Sequence, residues 1–227
     1  MHSGLYITYL GVPDNSILQK ELPALSGEVQ VKVTKSRILI DKWRHLLSDL
    51  LIRNVIAQEL ATAPDSIAVE SDSYGKPILA NRSRHFNISH SHNIIILATD
   101  DTPVGVDIEY IKPFSDLDSI ITQFTQEEQQ MYYAKYEEQR VGFFYELWTL
   151  KESYLKAIGK GLNCSLQSFS IRITDNEASL SRGIDPDIAW FFQRYTIDNQ
   201  YQCAVCSRRG QFPKKALILK PCDLLKH

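Results

Sequence analysis

From Val104 to Glu109 the chain alternates apolar residues with small or acidic ones: Val104-Gly105-Val106-Asp107-Ile108-Glu109. A period of two is that of a β-strand, so Asp107 and Glu109 leave the same face about 7 Å apart along the chain. Like charges held side by side in a partly buried place raise each other's pKa and cost stability unless a cation compensates them. A chain carrying this strand has to fold so that its apolar face meets a core and its acidic face meets a ligand.

A second stretch, Trp148-Thr149-Leu150-Lys151-Glu152-Ser153-Tyr154-Leu155-Lys156, again sets acid and base among residues built for burial. On a helix Glu152 and Lys156 are i and i+4 and share one face, with Phe144, Leu147, Trp148, Tyr154, Leu155 and Ile158 packing around them. Alone, such a pair reads as a surface ion pair worth about 0.3 to 0.5 kcal/mol. The strand carboxylates change that reading. Three acidic groups suit magnesium, which takes a few carboxylates and completes its octahedron with water and phosphate oxygens.

Composition narrows the class. With 227 residues, 44% hydrophobic and 23% charged, the chain is long enough for one large domain or two small ones and has the usage of a globular protein. A formal net charge of −2 offers no basic field for nucleic acid, so any anion must be held by a local site. No apolar run approaches the ~20 residues that cross a bilayer, and Met1 to Tyr6 lacks the form of a secretory leader, so no membrane partner is expected and the reading is cytoplasmic. Cys203 and Cys206 form a C-x-x-C without the second ligand pair of a zinc ribbon or the helix of a redox motif. Three apart on a strand, they are expected on opposite faces.

The pattern predicts a strand over Leu5–Leu10 and a helix from Asp41 to Leu60, on which Trp43, Leu46, Leu47, Leu50, Leu51 and Val55 form one stripe. Strands follow at 66–70, 85–90, 94–99 and 104–111, the last two expected to pair as a hairpin that draws Ser89 to His92 toward the carboxylates. Helical patterns cover 117–136, with Thr125-Gln126-Glu127-Glu128 resembling a capping box, and 139–158, stopped by Gly159. Strands are predicted near 168–174, 188–196, 201–207 and 216–220. The order strand, long helix, strands occurs before Pro103 and again after it. The expected fold class is α+β, with two similar subdomains, 1–103 and 104–227, each a long helix on a small, mostly antiparallel sheet.

Gly105 to Glu109, Trp148 to Lys156 and Ile158-Gly159-Lys160-Gly161-Leu162 together resemble the signature of the 4′-phosphopantetheinyl transferases, in particular the broad-range, surfactin-synthetase-activating type. Leu47 to Arg53, Tyr74-Gly75-Lys76-Pro77-Ile78 and Phe86-Asn87-Ile88-Ser89-His90-Ser91 extend the likeness in the same order, over roughly residues 40 to 175. The resemblance implies two subdomains related by a pseudo-twofold axis and sandwiching coenzyme A. It implies Mg²⁺-dependent transfer of the phosphopantetheine arm to a serine of an acyl or peptidyl carrier protein, releasing adenosine 3′,5′-bisphosphate. Such carriers serve nonribosomal peptide, polyketide or fatty acid synthesis. Asp107, Glu109 and Glu152 would hold the metal, Lys156 would stabilise the leaving phosphate, and Glu128, with Glu127 as rival, would be the base. Lys76, Ser89 and His90 would contact coenzyme A phosphates, His90 near the 3′-phosphate.

Lys32, Lys35, Arg37 and Arg44 are the basic residues available for that 3′-phosphate. Val29, Leu39 and His45 depart from the family pattern in the same region. Carrier docking is expected along Phe114 to Tyr136, and a monomer is expected because the interface between the halves lies within one chain. Two other classes use parts of the same pattern. A coenzyme A or nucleotide pyrophosphatase would cleave without a carrier, and a carrier-binding module would not need Glu152.

Overall fold

Two long helices organise the molecule. The computed structural model describes residues 2–113, 116–161, 164–175 and 177–225. Phe114 of the expected docking stretch and Leu162 of the helix-end motif lie outside the described residues. In the first half, strand β1 (Gly4–Tyr9) is followed by helices α1 (Asn15–Glu21), α2 (Gly27–Lys35) and α3 (Leu39–Leu60). A small hairpin of β2 (Val69–Ser71) and β3 (Pro77–Leu79) leads to β4 (His85–Ser91) and β5 (Ile94–Asp100). The second half repeats the order: β6 (Val104–Tyr110), α4 (Leu117–Ile121), α5 (Gln126–Tyr133), α6 (Glu137–Ile158), the hairpin β7 (Ser170–Ile173) and β8 (Ala178–Arg182), then β9 (Phe191–Ile197) and β10 (Tyr201–Ser207). Finally β11 (Leu217–Ile218) pairs parallel to β1, and α7 (Pro221–Leu224) packs its Leu224 into the α3 core, so the end of the chain returns to the first half.

Both sheets place the half's first strand beside its last, and the last beside the one before it: β1-β5-β4, extended by β11, and β6-β10-β9. Their layering follows from residue alternation. On β5, Ile95 and Leu97 face α3, whereas Ile94, Ile96 and Ala98 face the other sheet. On β10, Ala204 and Cys206 face α6, whereas Cys203 and Val205 meet Ile94, Ile96, Val106 and Ile108 between the sheets. The result is helix, sheet, sheet, helix, with both faces of each sheet covered. The C-x-x-C cysteines lie on opposite faces and are buried, as the strand reading requires.

The expected hairpin of the carboxylate strand with the strand before it does not form. Strand β5 is wholly buried with β1 and β4 on its two edges, and β6 pairs with β10. The short turn at Asp101 to Pro103 instead carries the chain from one sheet to the other. α1 and α2 were not foreseen, because the apolar residues of 15–35 form no extended stripe. The predicted 117–136 helix is interrupted between α4 and α5, where Thr125 caps α5 by accepting from the Glu128 N–H while the Glu128 carboxylate accepts from the Thr125 N–H.

Glu128 and Lys151 are both fully buried. The Lys151 ammonium donates to the two Glu128 oxygens at 2.6 and 2.8 Å and to the Phe169 carbonyl at 3.1 Å, and sits 4.0 Å from the Phe169 ring centroid. Glu128 also accepts from the Ile171 N–H at 2.9 Å, so one ion pair ties α5, α6 and β7 together. Breaking one partner strands a charge in a dry interior.

The closest approach in the fold is at Gly105, where a Cβ would lie 2.0 Å from the Ser153 carbonyl and 2.4 Å from the Ala157 nitrogen. α6 therefore rests directly on the backbone of β6. Gly105→Ala is expected to force the helix outward and cost about 3 kcal/mol, a fall in Tm of about 6 to 12 °C by differential scanning calorimetry. Glu128→Gln is expected to cost about 3 to 5 kcal/mol in urea unfolding, because it leaves the Lys151 ammonium buried without its counter-charge.

Candidate active site

β4 and β6 are edge strands of different sheets, and side chains join them. Asn87, Ser89 and Ser91 alternate along β4 and point to β6. The Asn87 Oδ1 accepts from the Val106 N–H at 2.8 Å, the Ser89 hydroxyl donates to Asp107 Oδ1 at 2.9 Å, and the Ser91 hydroxyl donates to Glu109 Oε2 at 2.9 Å. Ser91 Oγ also accepts from the Tyr110 N–H at 3.0 Å, and the Asp107 carboxylate takes the Ile108 N–H. The unpaired edge of β6 is thus satisfied by side chains instead of by a strand ladder. The polar face of β4 has Phe86 and Ile88 on its reverse, packed in the α3 core.

Contact at Gly105 sets α6 over this edge. Glu152 and Lys156 immediately precede Ser153 and Ala157 in the helix that ends at Ile158, and both reach the Asp107 neighbourhood. The Lys156 ammonium donates to Asp107 Oδ1 at 2.6 Å and to Ser89 Oγ at 2.9 Å. Asp107 Oδ2 and Glu152 Oε1 are buried without a hydrogen-bond partner among the described residues. Burial pushes the pKa of Asp107 up against the pull of Lys156. Burial and then the Asp107 charge push Glu109 up, and burial followed by the Asp107 and Glu109 charges does the same for Glu152.

Three mutually repelling carboxylates, two of them with an orphaned oxygen, fit a hard divalent cation. Among the described residues no three His, Cys, Asp or Glu side chains stand close enough to enclose a metal by themselves. Asp107, Glu109 and Glu152 therefore do not form a closed metal cage as they stand, and water and phosphate oxygens would have to complete the coordination of any magnesium ion they held.

A cavity of about 230 Å³ opens in the first half between α2, α3, the β2–β3 hairpin and β4. Val29, Ile52, Val69, Pro77 and Ile88 give it an apolar lining, and Lys32, His45 and His90 give it polar groups. His90 is exposed, and its pKa is pushed down by desolvation and then by the positive charges of Arg44 and Lys156 and by His45. Arg44 pairs with Asp41, and its Nε is buried without a partner among the described residues. The cavity is also lined by the carboxylates Glu28 and Asp49, each already paired with a cation, Lys32 and Arg53. Lys32 is exposed and pairs with Glu28 at 2.8 Å.

One expectation requires correction, that for Glu128. Lys76, expected on a coenzyme A phosphate, donates its ammonium to the Val104 carbonyl at 3.2 Å and to the Lys156 carbonyl, bracing the end of α6 against the start of β6. Burial brings its pKa down to about 8. Glu128, expected as the base, has both oxygens taken by the buried Lys151 pair and by backbone N–H groups, so it holds the fold together. The rival Glu127 is bound by Arg172, Ser170 and Ser181 on the outer side of α5. Asn87 and Ser91 were quoted in the sequence without a role. Their i, i+2, i+4 spacing with Ser89 was the signal for a polar strand face.

The carboxylates have a signature in stability. Because the folded pKa of Glu152 lies above the ordinary glutamate value of 4.5, the native protein holds a proton the unfolded chain has lost, and stability falls as pH rises through that window. Glu152→Gln is expected to raise Tm by a few degrees at pH 7 in chelator. That gain should vanish near pH 4, where the carboxyl is protonated in both states, as thermal melts across pH will show.

Comparison with known families agrees with this geometry. Residues 103–206 match the model of the 4′-phosphopantetheinyl transferase superfamily, and residues 12–102 match that of the 4′-phosphopantetheinyl transferase N-terminal region. The chain is 37% identical over 198 residues to the 4′-phosphopantetheinyl transferase psf-1 of Bacillus pumilus, covering 87% of this chain and 84% of that protein. It is 36% identical over 187 residues to the 4′-phosphopantetheinyl transferase Sfp of Bacillus subtilis (strain 168), covering 82% and 83%. Likeness at this level over most of both chains makes the protein a member of the 4′-phosphopantetheinyl transferase superfamily and an enzyme of that class.

Proposed function

We propose that the enzyme transfers phosphopantetheine from coenzyme A to a carrier-protein serine at the Asp107, Glu109 and Glu152 cluster, with Mg²⁺ held there. The observation that carries this reading is the pair of buried, partnerless oxygens, Asp107 Oδ2 and Glu152 Oε1, on side chains whose charges act on each other and on Glu109. When bound, the metal neutralises charge that grows on the diphosphate oxygens. Lys156 stands within hydrogen-bond reach of Asp107 and offers its ammonium to the leaving phosphate. The 1–103 half takes the nucleotide end in the cavity beside His90, Arg44 and Lys32, with the 3′-phosphate among those cations, and the 104–227 half supplies the carboxylates and the carrier dock.

The carrier serine oxygen attacks the β-phosphorus of coenzyme A as the bond to the bridging oxygen breaks, and adenosine 3′,5′-bisphosphate leaves. The serine proton passes to water at the open side of the cluster, since Glu152 is given to the metal and Glu128 to Lys151. This replaces Glu128 as the base. Docking along α4 and α5 is supported by the exposed rings of Tyr133 and Tyr136, with Arg140 5.6 Å from the Tyr133 centroid, a mixed apolar and charged surface in which Lys135 and Arg140 stand beside Glu137 and Glu138. The sheet faces of the two halves cover each other within one chain, which supports a monomer. The free cysteines Cys164, Cys203, Cys206 and Cys222 support a cytoplasmic location, and among the described residues no helix is long and apolar enough to cross a membrane.

Incubation with coenzyme A, Mg²⁺ and apo carrier proteins of the acyl, peptidyl and aryl kinds should add the mass of phosphopantetheine to a carrier serine. Asp107→Asn and Glu152→Gln should each slow this by about 100-fold or more. No modification of any carrier, or release of phosphopantetheine without one, overturns the proposal.

A further inference from the structure

His92 has no part in the site described above, yet it holds an unusual position beside it. It occupies the first place of the two-residue turn between β4 and β5, with φ of 48°, a left-handed conformation that a residue with a Cβ adopts only under constraint. Its side chain is exposed, and the two-residue hairpin turn itself calls for a positive φ at this place. Aromatic contacts then fix where its ring lies. The imidazole stacks on the Tyr110 ring at 4.7 Å between centroids and 21° between planes. Tyr201, paired with Tyr110 across β6 and β10, meets that ring edge-on at 5.1 Å and places its hydroxyl 3.3 Å from His92 Nδ1.

Chain connectivity gives this stack its consequence. His92 follows Ser91, and Tyr110 follows Glu109. The stack therefore clamps the two backbones on either side of the Ser91 to Glu109 hydrogen bond, where Ser91 Oγ also receives the Tyr110 N–H. Nearer the middle of the strands, Ser89 and Asn87 lie among buried neighbours, whereas Ser91 and Glu109 stand at the open end of the β4–β6 seam. Without a clamp at that end, the hairpin tip can swing away and free the Glu109 carboxylate.

We propose that His92 is a positioning residue: its stack on Tyr110, braced by Tyr201, latches the β4–β5 turn onto β6 and holds Glu109 in the geometry that takes up a divalent cation. This rests on the metal reading above.

The test uses the whole protein. Mn²⁺ and Mg²⁺ binding is measured by titration calorimetry, Tm is measured in chelator, and the Mg²⁺ dependence of transfer is measured on a carrier. His92→Gly removes the ring and relieves the turn, so it is expected to weaken cation binding about tenfold, the low end for groups that orient a metal ligand, without lowering Tm in chelator. The Mg²⁺ concentration for half-maximal transfer should rise by the same factor, with kcat at saturating metal little changed. Tyr110→Ala should reproduce the loss of affinity, and the conservative Tyr110→Phe, which keeps the ring, should restore it. An H92G protein that binds the cation as the parent does overturns the latch, as does one whose loss is matched by a fall in Tm. A parent protein that takes up no cation overturns both the latch and the metal reading beneath it.

Discussion

The catalytic arrangement depends on the absence of a side chain at Gly105. Only because nothing projects there can the Ser153 carbonyl and the Ala157 nitrogen lie where a Cβ would be, 2.0 and 2.4 Å away. Direct seating of helix on strand brings Glu152 and Lys156 over Asp107, two strand residues further on. Lys76 secures the same junction from the first half by binding the Val104 and Lys156 carbonyls, and the buried Glu128–Lys151 pair secures it from the far side of α6. These contacts are structural, and their product is the geometry of three carboxylates.

That geometry is costly to the protein by itself. Each of the three acids is buried enough to be held above its ordinary pKa, and Lys156, Ser89, Ser91 and, for Glu109, Lys112 offset their charge only in part. A fold selected for stability alone would pair or remove Glu152. An unpartnered buried oxygen retained there is the kind of cost that the proposed metal role would account for. The polar face of β4 is part of the same compromise. An apolar strand there would bury more surface between the sheets, but it could neither satisfy the β6 edge nor orient the acids.

Much of the site was legible in one dimension. Asp107 and Glu109 announce a shared strand face, and Glu152 and Lys156 a shared helix face, because both periodicities are local properties of backbone geometry. The capping box at Thr125 and the stop at Gly159 were legible for the same reason, the latter seen as a left-handed residue with φ of 72°. What could not be read was which charged groups the fold would spend on itself. Glu128 and Lys151 look no different in sequence from Glu152 and Lys156, yet the first pair is sealed among Phe124, Phe169 and the β7 backbone while the second lies at a seam.

Sequence by itself determined the main strands and the two long helices, the opposite-facing cysteines of β10, the repeat of strand, long helix and strands, and which acids share a face, since each follows from spacing along the chain. Only the tertiary structure decided strand partners, and with them the neighbours of the site. A local hairpin between β5 and β6 has the shorter loop, but β5 already has a partner on each edge, and β6 is taken by β10 from the far end of the chain. Ser89 and Ser91 reach the carboxylates all the same, across two sheets and not along one, because burial of both apolar strand faces outweighs the economy of a short turn.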